Sequence, residues 1–214
     1  MRVEVKICGL TRPGDAAVAV AAGASYLGVV QAGGPRVVNP VQAHAIVQAG
    51  APLPVFGVFA GQTVEEILRI CRAAGLAGAQ LHGAHLRADA ARLRQEGLLV
   101  WRVVRIGPEA VGPDVLGAAE DADAVLIESR VTGQLGGTGR ALDLEQAGAA
   151  RAALRGHRMV LAGGLTPESV GAAIRTVRPD IVDVSSGVES APGRKDAARI
   201  RDFLEAVIGH DASA

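Results

Sequence analysis

The chain has 214 residues, 49% of them hydrophobic, enough to bury one substantial core, so a single domain over residues 1–214 is expected. Lys plus Arg (22) balances Asp plus Glu (22), which excludes a long-range field drawing the protein to nucleic acid or to an anionic membrane; any anion site must be local. Two cysteines, Cys8 and Cys71, with no CxxC and no histidine cluster, argue against a disulfide framework and a zinc site, and suit a reducing cytoplasm.

No apolar run approaches the roughly 18 residues of a membrane span, and a first strand opening at Val3 is expected to leave no room for a signal peptide. Lys6 and Lys195 are the lysines of the chain, the other basic residues being Arg, which reads as compositional bias rather than function.

Short apolar runs at 3–7, 26–30, 55–59, 78–81, 99–104, 124–127, 159–162 and 181–184 predict eight strands. Between them, apolar residues recur at i, i+3, i+4 over 15–22, 41–49, 64–74, 87–96, 142–154, 167–177 and 195–207, predicting helices. Thr63-Val64-Glu65-Glu66 has the form of a capping box, and Thr166-Pro167 places a hydroxyl before a proline at the first helical position. The segment 107–120, with its glycine and proline breaks, is the weakest of the crossovers. Eight strand-then-helix units with right-handed crossovers make a parallel sheet, and an unbroken rhythm to a full eight favours closure into a (β/α)₈ TIM barrel over an open doubly wound sheet.

Active sites of such barrels form at the C-terminal ends of the strands. Those ends are polar or glycine-rich: Cys8-Gly9, Gly33-Gly34-Pro35-Arg36, Gln80-Leu81-His82-Gly83, Glu128-Ser129-Arg130, Gly163-Gly164 and Ser185-Ser186-Gly187. Gly163, Gly164, Ser185, Ser186 and Gly187 follow strands seven and eight, where bare backbone N–H groups suit a phosphate, although any one glycine there could serve only a tight turn. A further glycine-rich loop, 133–139, which includes Gly137, could wrap the same anion.

Alternation places Glu4, Lys6 and Cys8 toward the lumen, with Gln80, His82, Arg102, Leu126, Glu128, Asp183 and Ser185; Trp101 is expected on the outer, helix-facing side. A charge in the lumen must be paired, and Lys6 opposite Asp183 is the expected pair; a cation beside Cys8 would also favour its thiolate. Cys8 at a strand end reads as reactive rather than as an inert buried thiol, and Cys71, on the stripe of Ile67, Leu68 and Ala74, reads as packing. His82 either braces the rim or touches substrate, and Arg102 either neutralises a carboxylate or touches ligand. His44, His85, His157 and His210 read as surface or capping residues.

The blocks Lys6-Ile7-Cys8-Gly9-Leu10-Thr11, Pro35-Arg36, Gly57-Val58-Phe59, Gln80-Leu81-His82-Gly83, Gly136-Gly137-Thr138-Gly139, Leu161-Ala162-Gly163-Gly164-Leu165 and Asp183-Val184-Ser185-Ser186-Gly187-Val188-Glu189 fall in the order and spacing seen in phosphoribosylanthranilate isomerases, and the likeness runs through essentially the whole chain. The resemblance implies an Amadori rearrangement of N-(5-phosphoribosyl)anthranilate in tryptophan biosynthesis, without metal or other cofactor. It implies Cys8 as the base, the acidic residue ending strand six as the acid, and Arg36 as a two-pronged holder of the anthranilate carboxylate. His82 and Asp183 join the substrate-binding set, with Gly137 and the loops after strands seven and eight around the phosphate.

The sequence departs from that family where it carries Glu128 in place of Asp, one methylene longer, and Gly34 where serine is common. Two rival readings stand beside the isomerase. One is a related phosphosugar isomerase of histidine biosynthesis, a class that typically uses an aspartate in strand one. The other is a catalytically silent phosphate-binding homologue in which Glu128 marks a lost acid. Under all three the partner is a phosphorylated small molecule, and the assembly is a monomer or a homodimer.

Overall fold

The computed structural model describes residues 2–83, 85, 87–107, 114–129 and 143–211. Eight parallel strands close in chain order: β1 Glu4–Ile7, β2 Tyr26–Val30, β3 Val55–Ala60, β4 Gly78–His82, β5 Leu99–Ile106, β6 Ala124–Ser129, β7 Met159–Ala162 and β8 Ile181–Val184. The last closing pair is β1 with β8, in a register that sets Lys6 beside Asp183. Crossover helices α1 Pro13–Ala22, α2 Pro40–Gly50, α3 Val64–Ala74, α4 Arg87–Gln95, α5 Asp114–Ala119, α6 Leu144–Ala153, α7 Val170–Val177 and α8 Ala197–Asp211 accompany them.

Local chemistry explains several of these boundaries. Thr63 and Glu66 form the expected capping box, the Glu66 N–H donating to Thr63 Oγ1 at 3.3 Å and the Thr63 N–H to Glu66 Oε2 at 2.8 Å. Asn39 and Gln42 build a second box ahead of α2, with Pro40 in the first turn. The start expected at Thr166-Pro167 is displaced. Val170 N–H does donate to Thr166 O at 3.0 Å, but regular helix begins at Val170, and Ser169 Oγ accepts from the Thr166 N–H at 2.9 Å. Among the described residues, the fifth crossover contains the six-residue α5.

Two apolar regions result. A large one packs the outward strand residues, such as Ile7, Val29, Val125 and Val182, against the helices. A smaller one fills the barrel with Phe56, Trp101, Ala124, Leu126, Val160, Ala162 and Ile181, with Tyr26 and Val103 packed against it. Trp101 therefore faces the lumen, contrary to the outward placement expected from the sequence, and stacks at 4.3 Å between ring centroids with Phe56. Arg102 correspondingly points outward, donating to Gly117 O of α5 at 2.9 Å and to His85 O at 3.3 Å. The parity expected for β5 is one residue out because it assigned the charged side chain to the polar lumen. A half-buried guanidinium is satisfied at the helix side, and the large ring gains more from the barrel interior.

A short antiparallel hairpin, β9 Glu189–Ala191 and β10 Arg194–Lys195, follows β8 after a 3₁₀ turn at Ser186–Val188, a feature the sequence pattern does not announce. No helix among the described residues is long and apolar enough to cross a membrane.

The Lys6–Asp183 pair is buried, with the ammonium nitrogen 3.2 Å from both carboxylate oxygens. Lys6→Met is expected to destabilise the fold by about 3–5 kcal/mol by leaving Asp183 unpaired, and Lys6→Met with Asp183→Leu by much less. Urea unfolding of the three proteins measures both values.

Candidate active site

The C-terminal strand ends surround a cavity of about 590 Å³. Cys8, Arg36, His82, Glu128, Gly163, Gly164, Asp183, Ser185, Ser186 and Gly187 all line it, so every expected site residue among the described ones opens onto one space. Gly137 lies outside the described residues.

On one wall, β1 carries Lys6 and Cys8 into the mouth. Lys6 is fully buried, 5.5 Å from the Trp101 ring centroid below it, and donates to Gln80 Oε1 at 2.8 Å as well as to Asp183. The thiol and the lysine head have room because β2 has no side chain beside them. A Cβ on Gly28 would lie 2.9 Å from Cys8 Sγ and 3.0 Å from Lys6 Cε. Burial pushes the Cys8 thiol above its ordinary 9.0, while the Lys6 ammonium, hydrogen-bonded to it, pulls the other way. The expected cation is present and favours the thiolate, but desolvation is larger and outweighs it.

The opposite wall carries Glu128 at the end of β6. Its Oε1 accepts from Arg105 Nε at 2.8 Å and lies 3.6 Å from His82 Nδ1. Burial again comes first and lifts the carboxyl above its ordinary 4.5, partly opposed by Arg105. His82 is pushed down to about 3, chiefly by burial and then by the charges of Arg105 and Lys6, so it stands neutral.

A third group was not anticipated. Lys195, from β10, is buried and donates to Glu189 Oε1 at 2.8 Å and to Ser185 O at 2.9 Å. Glu189 in turn accepts from Arg36 Nε at 2.8 Å and Nη2 at 2.7 Å. These two cations hold the Glu189 carboxyl below its ordinary value despite its burial. One pair of prongs of Arg36, Nε and Nη2, expected to grip a ligand carboxylate, is thus closed on the protein's own carboxylate, and Nη1 takes no part in that pair. Arg105, Lys195 and the pairing role of Glu189 were missed, whereas Gln80 faces the lumen as expected and only its bonds to Lys6 and His82 were not foreseen. A signal for Lys195 was present: in a chain that otherwise uses Arg, both lysines are buried at this site.

The loops after β7 and β8 approach closely. A Cβ on Gly187 would sit 1.9 Å from Leu165 O, so only glycine permits this contact. Among the described residues, no group of three or more His, Cys, Asp or Glu side chains is placed to hold a metal ion.

A family model described as N-(5'phosphoribosyl)anthranilate (PRA) isomerase matches residues 5–206. The chain belongs to this family. A relative from Trichlorobacter lovleyi, named N-(5'-phosphoribosyl)anthranilate isomerase, is 40% identical over 204 residues, 94% of this chain and 96% of the relative. Among solved structures, the phosphoribosyl anthranilate isomerase of Thermus thermophilus superposes with a TM-score of 0.85 at 34% identity, covering 97% of this chain and 99% of that one. A phosphoribosyl anthranilate isomerase in complex with reduced 1-(o-carboxyphenylamino)-1-deoxyribulose 5-phosphate superposes with a TM-score of 0.82 at 32% identity, again covering 97% and 99%.

Gly187→Ala is expected to cost about 1–3 kcal/mol of stability by forcing the two loops apart, an effect that thermal unfolding at matched pH would reveal; an unchanged melting temperature would contradict the contact.

Proposed function

We propose that this chain isomerises N-(5'-phosphoribosyl)anthranilate to 1-(2-carboxyphenylamino)-1-deoxyribulose 5-phosphate in tryptophan biosynthesis, with Glu128 as general acid and Cys8 as general base. The observation that supports these roles is that the two side chains open onto one cavity from different strands, in a member of this isomerase family.

Glu128 gives its proton to the furanose oxygen as the bond from that oxygen to C1' breaks, and the nitrogen lone pair forms the C1'=N bond of a protonated Schiff base. The Cys8 thiolate takes the proton from C2'; the C–H electrons form C1'=C2', and the C=N pair returns to nitrogen, giving an enolamine. Loss of the C2' hydroxyl proton and gain of one at C1' yield the ketone, so substrate and product have the same composition. The proton on Cys8 returns through solvent to Glu128.

The raised pKa of Glu128 keeps a proton available, and Arg105 steadies the carboxylate once it has donated. This arrangement favours a working acid over a silent homologue, because Glu128 is held by partners rather than left loose in the cavity. In this reading the loops carrying Gly163, Gly164, Ser185, Ser186 and Gly187 hold the phosphate. Arg36 takes the anthranilate carboxylate, and His82 and Asp183 flank the ribose. The assembly is read as a monomer or a homodimer. Two free cysteines, one of them at the site, suit a reducing cytoplasm.

Cys8→Ser and Glu128→Gln are each expected to lower kcat by about 10²–10⁴-fold, followed through the loss of phosphoribosylanthranilate fluorescence. Unchanged turnover in Glu128→Gln would remove it as the acid. The reaction needs Glu128 protonated and Cys8 ionised, and both groups are raised. Both limbs of the kcat/KM profile should therefore lie on the alkaline side of ordinary Glu (4.5) and Cys (9.0) values.

A further inference from the structure

A hydrogen-bonded chain crosses the mouth of the barrel. It runs from Asp183 on β8 through Lys6 on β1 to Gln80 and His82 on β4, where the His82 ring faces Glu128 on β6. The links are Lys6 Nζ to the Asp183 oxygens at 3.2 Å, Lys6 Nζ to Gln80 Oε1 at 2.8 Å and Gln80 Nε2 to His82 Nε2 at 2.9 Å; His82 Nδ1 then stands 3.6 Å from Glu128 Oε1, just beyond hydrogen-bond reach. Gln80, His82 and Asp183 are all buried, and Lys6 is fully so.

The direction of the protons along this chain follows from its first member. An ammonium can only donate. Gln80 must therefore turn its oxygen to Lys6, which leaves its NH₂ facing His82. His82 Nε2 must accept that bond and carries no proton. A neutral imidazole then has its proton on Nδ1, the nitrogen that faces Glu128.

One contact competes. Arg105 Nη2 stands 3.4 Å from His82 Nδ1. Were that arginine to donate to Nδ1, the ring proton would move to Nε2 and meet the Gln80 NH₂, and turning the amide to relieve this would set NH₂ against the Lys6 ammonium. Two donors would then face each other at one of the short links, 2.8 or 2.9 Å, whereas the Nδ1–H tautomer sets donors together only at the long 3.4 Å Arg105 contact. The charged or titratable groups around the ring are Lys6 from β1, Arg105 from β5, Glu128 from β6 and His85 beyond β4.

We propose that Gln80 is a positioning residue, which by accepting from Lys6 and donating to His82 fixes His82 as the neutral Nδ1–H tautomer with its proton aimed at Glu128. The consequence rests on the reading of Glu128 as the acid. A neutral Nδ1–H is placed to donate to the carboxylate formed by proton release, yet adds no full positive charge that would ionise Glu128 before the ring oxygen is protonated. An imidazolium in the same place would do so. The single amide thereby ties the orientation of the acid on one wall to the lysine beside the base on the other.

The test is the ¹⁵N spectrum of histidine-labelled enzyme, with the His82 signals assigned by their loss in His82→Asn. In the native enzyme, Nδ1 is expected to be pyrrole-like and Nε2 pyridine-like from about pH 5 to about pH 8, the range in which an ordinary histidine changes charge. In Gln80→Glu the new carboxylate accepts from both neighbours, so Nε2 should gain a proton. With this change kcat should fall by roughly tenfold to a hundredfold, as expected for a displaced reacting group, while KM moves little. Gln80→Met, which keeps the bulk and removes both bonds, should leave a His82 ring that titrates or mixes tautomers.

A native His82 protonated on Nε2 would overturn the proposal, as would a Gln80→Glu enzyme with unchanged His82 signals. The spectrum does not depend on turnover. Activity retained in Glu128→Gln would overturn the acid assignment alone, whereas a wrong tautomer would overturn the role of Gln80 alone.

Discussion

The buried ammonium of Lys6 organises the base side of the site. Lys6 carries a full charge inside a barrel whose filling is otherwise Phe56, Trp101, Leu126, Val160 and Ile181. Such a charge is tolerated only when its surroundings are built to receive it. The Asp183 carboxylate, the Gln80 carbonyl oxygen, the Cys8 thiol and the Trp101 ring beneath are that surrounding. Three of these four open onto the cavity, so satisfying the charge and assembling the site are one requirement.

The same low-dielectric mouth acts on each titratable group according to its partners. Cys8 and Glu128 are raised because burial outweighs the cations beside them, His82 is lowered because burial and two cations act together, and Glu189 is lowered because two cations overcome its burial. A buried carboxyl at Glu128 and a buried carboxyl at Glu189 thus differ through the number of bonds each accepts. Glu128 meets one arginine and a neutral imidazole, and Glu189 meets an arginine in two places and a lysine. Different environments give two chemically similar side chains different work.

The barrel is highly legible in the sequence because buried parallel strands and amphipathic helices leave distinct periods, and β2, β7, β8 and α3 coincide with their expected bounds. Residues at strand ends were also found, since alternation and the C-terminal rule locate them without knowledge of packing. Three things escaped. Trp101 and Arg102 exchange sides because alternation fixes relative facing and leaves the choice of face to packing, and this error hid Arg105, the third residue of the same inward row. The hairpin 189–195 is too short to show a period, so Lys195 had no element to place it. The closing of Arg36 on Glu189 is a contact over a sequence separation of 153, which no local pattern encodes.

That closure has a dimensional consequence. On the proposed assignment, Arg36 receives the aromatic end of the substrate while Ser185, Ser186 and Gly187 receive its phosphate end. Glu189 fastens the arginine, and Lys195 fastens Glu189 to the carbonyl of Ser185. The short stretch from Ser185 to Lys195 is therefore a ruler: it fixes both marks between which a molecule must reach. A one-residue change in its length would alter the tolerated reach of the ligand without touching either chemical group that transforms it.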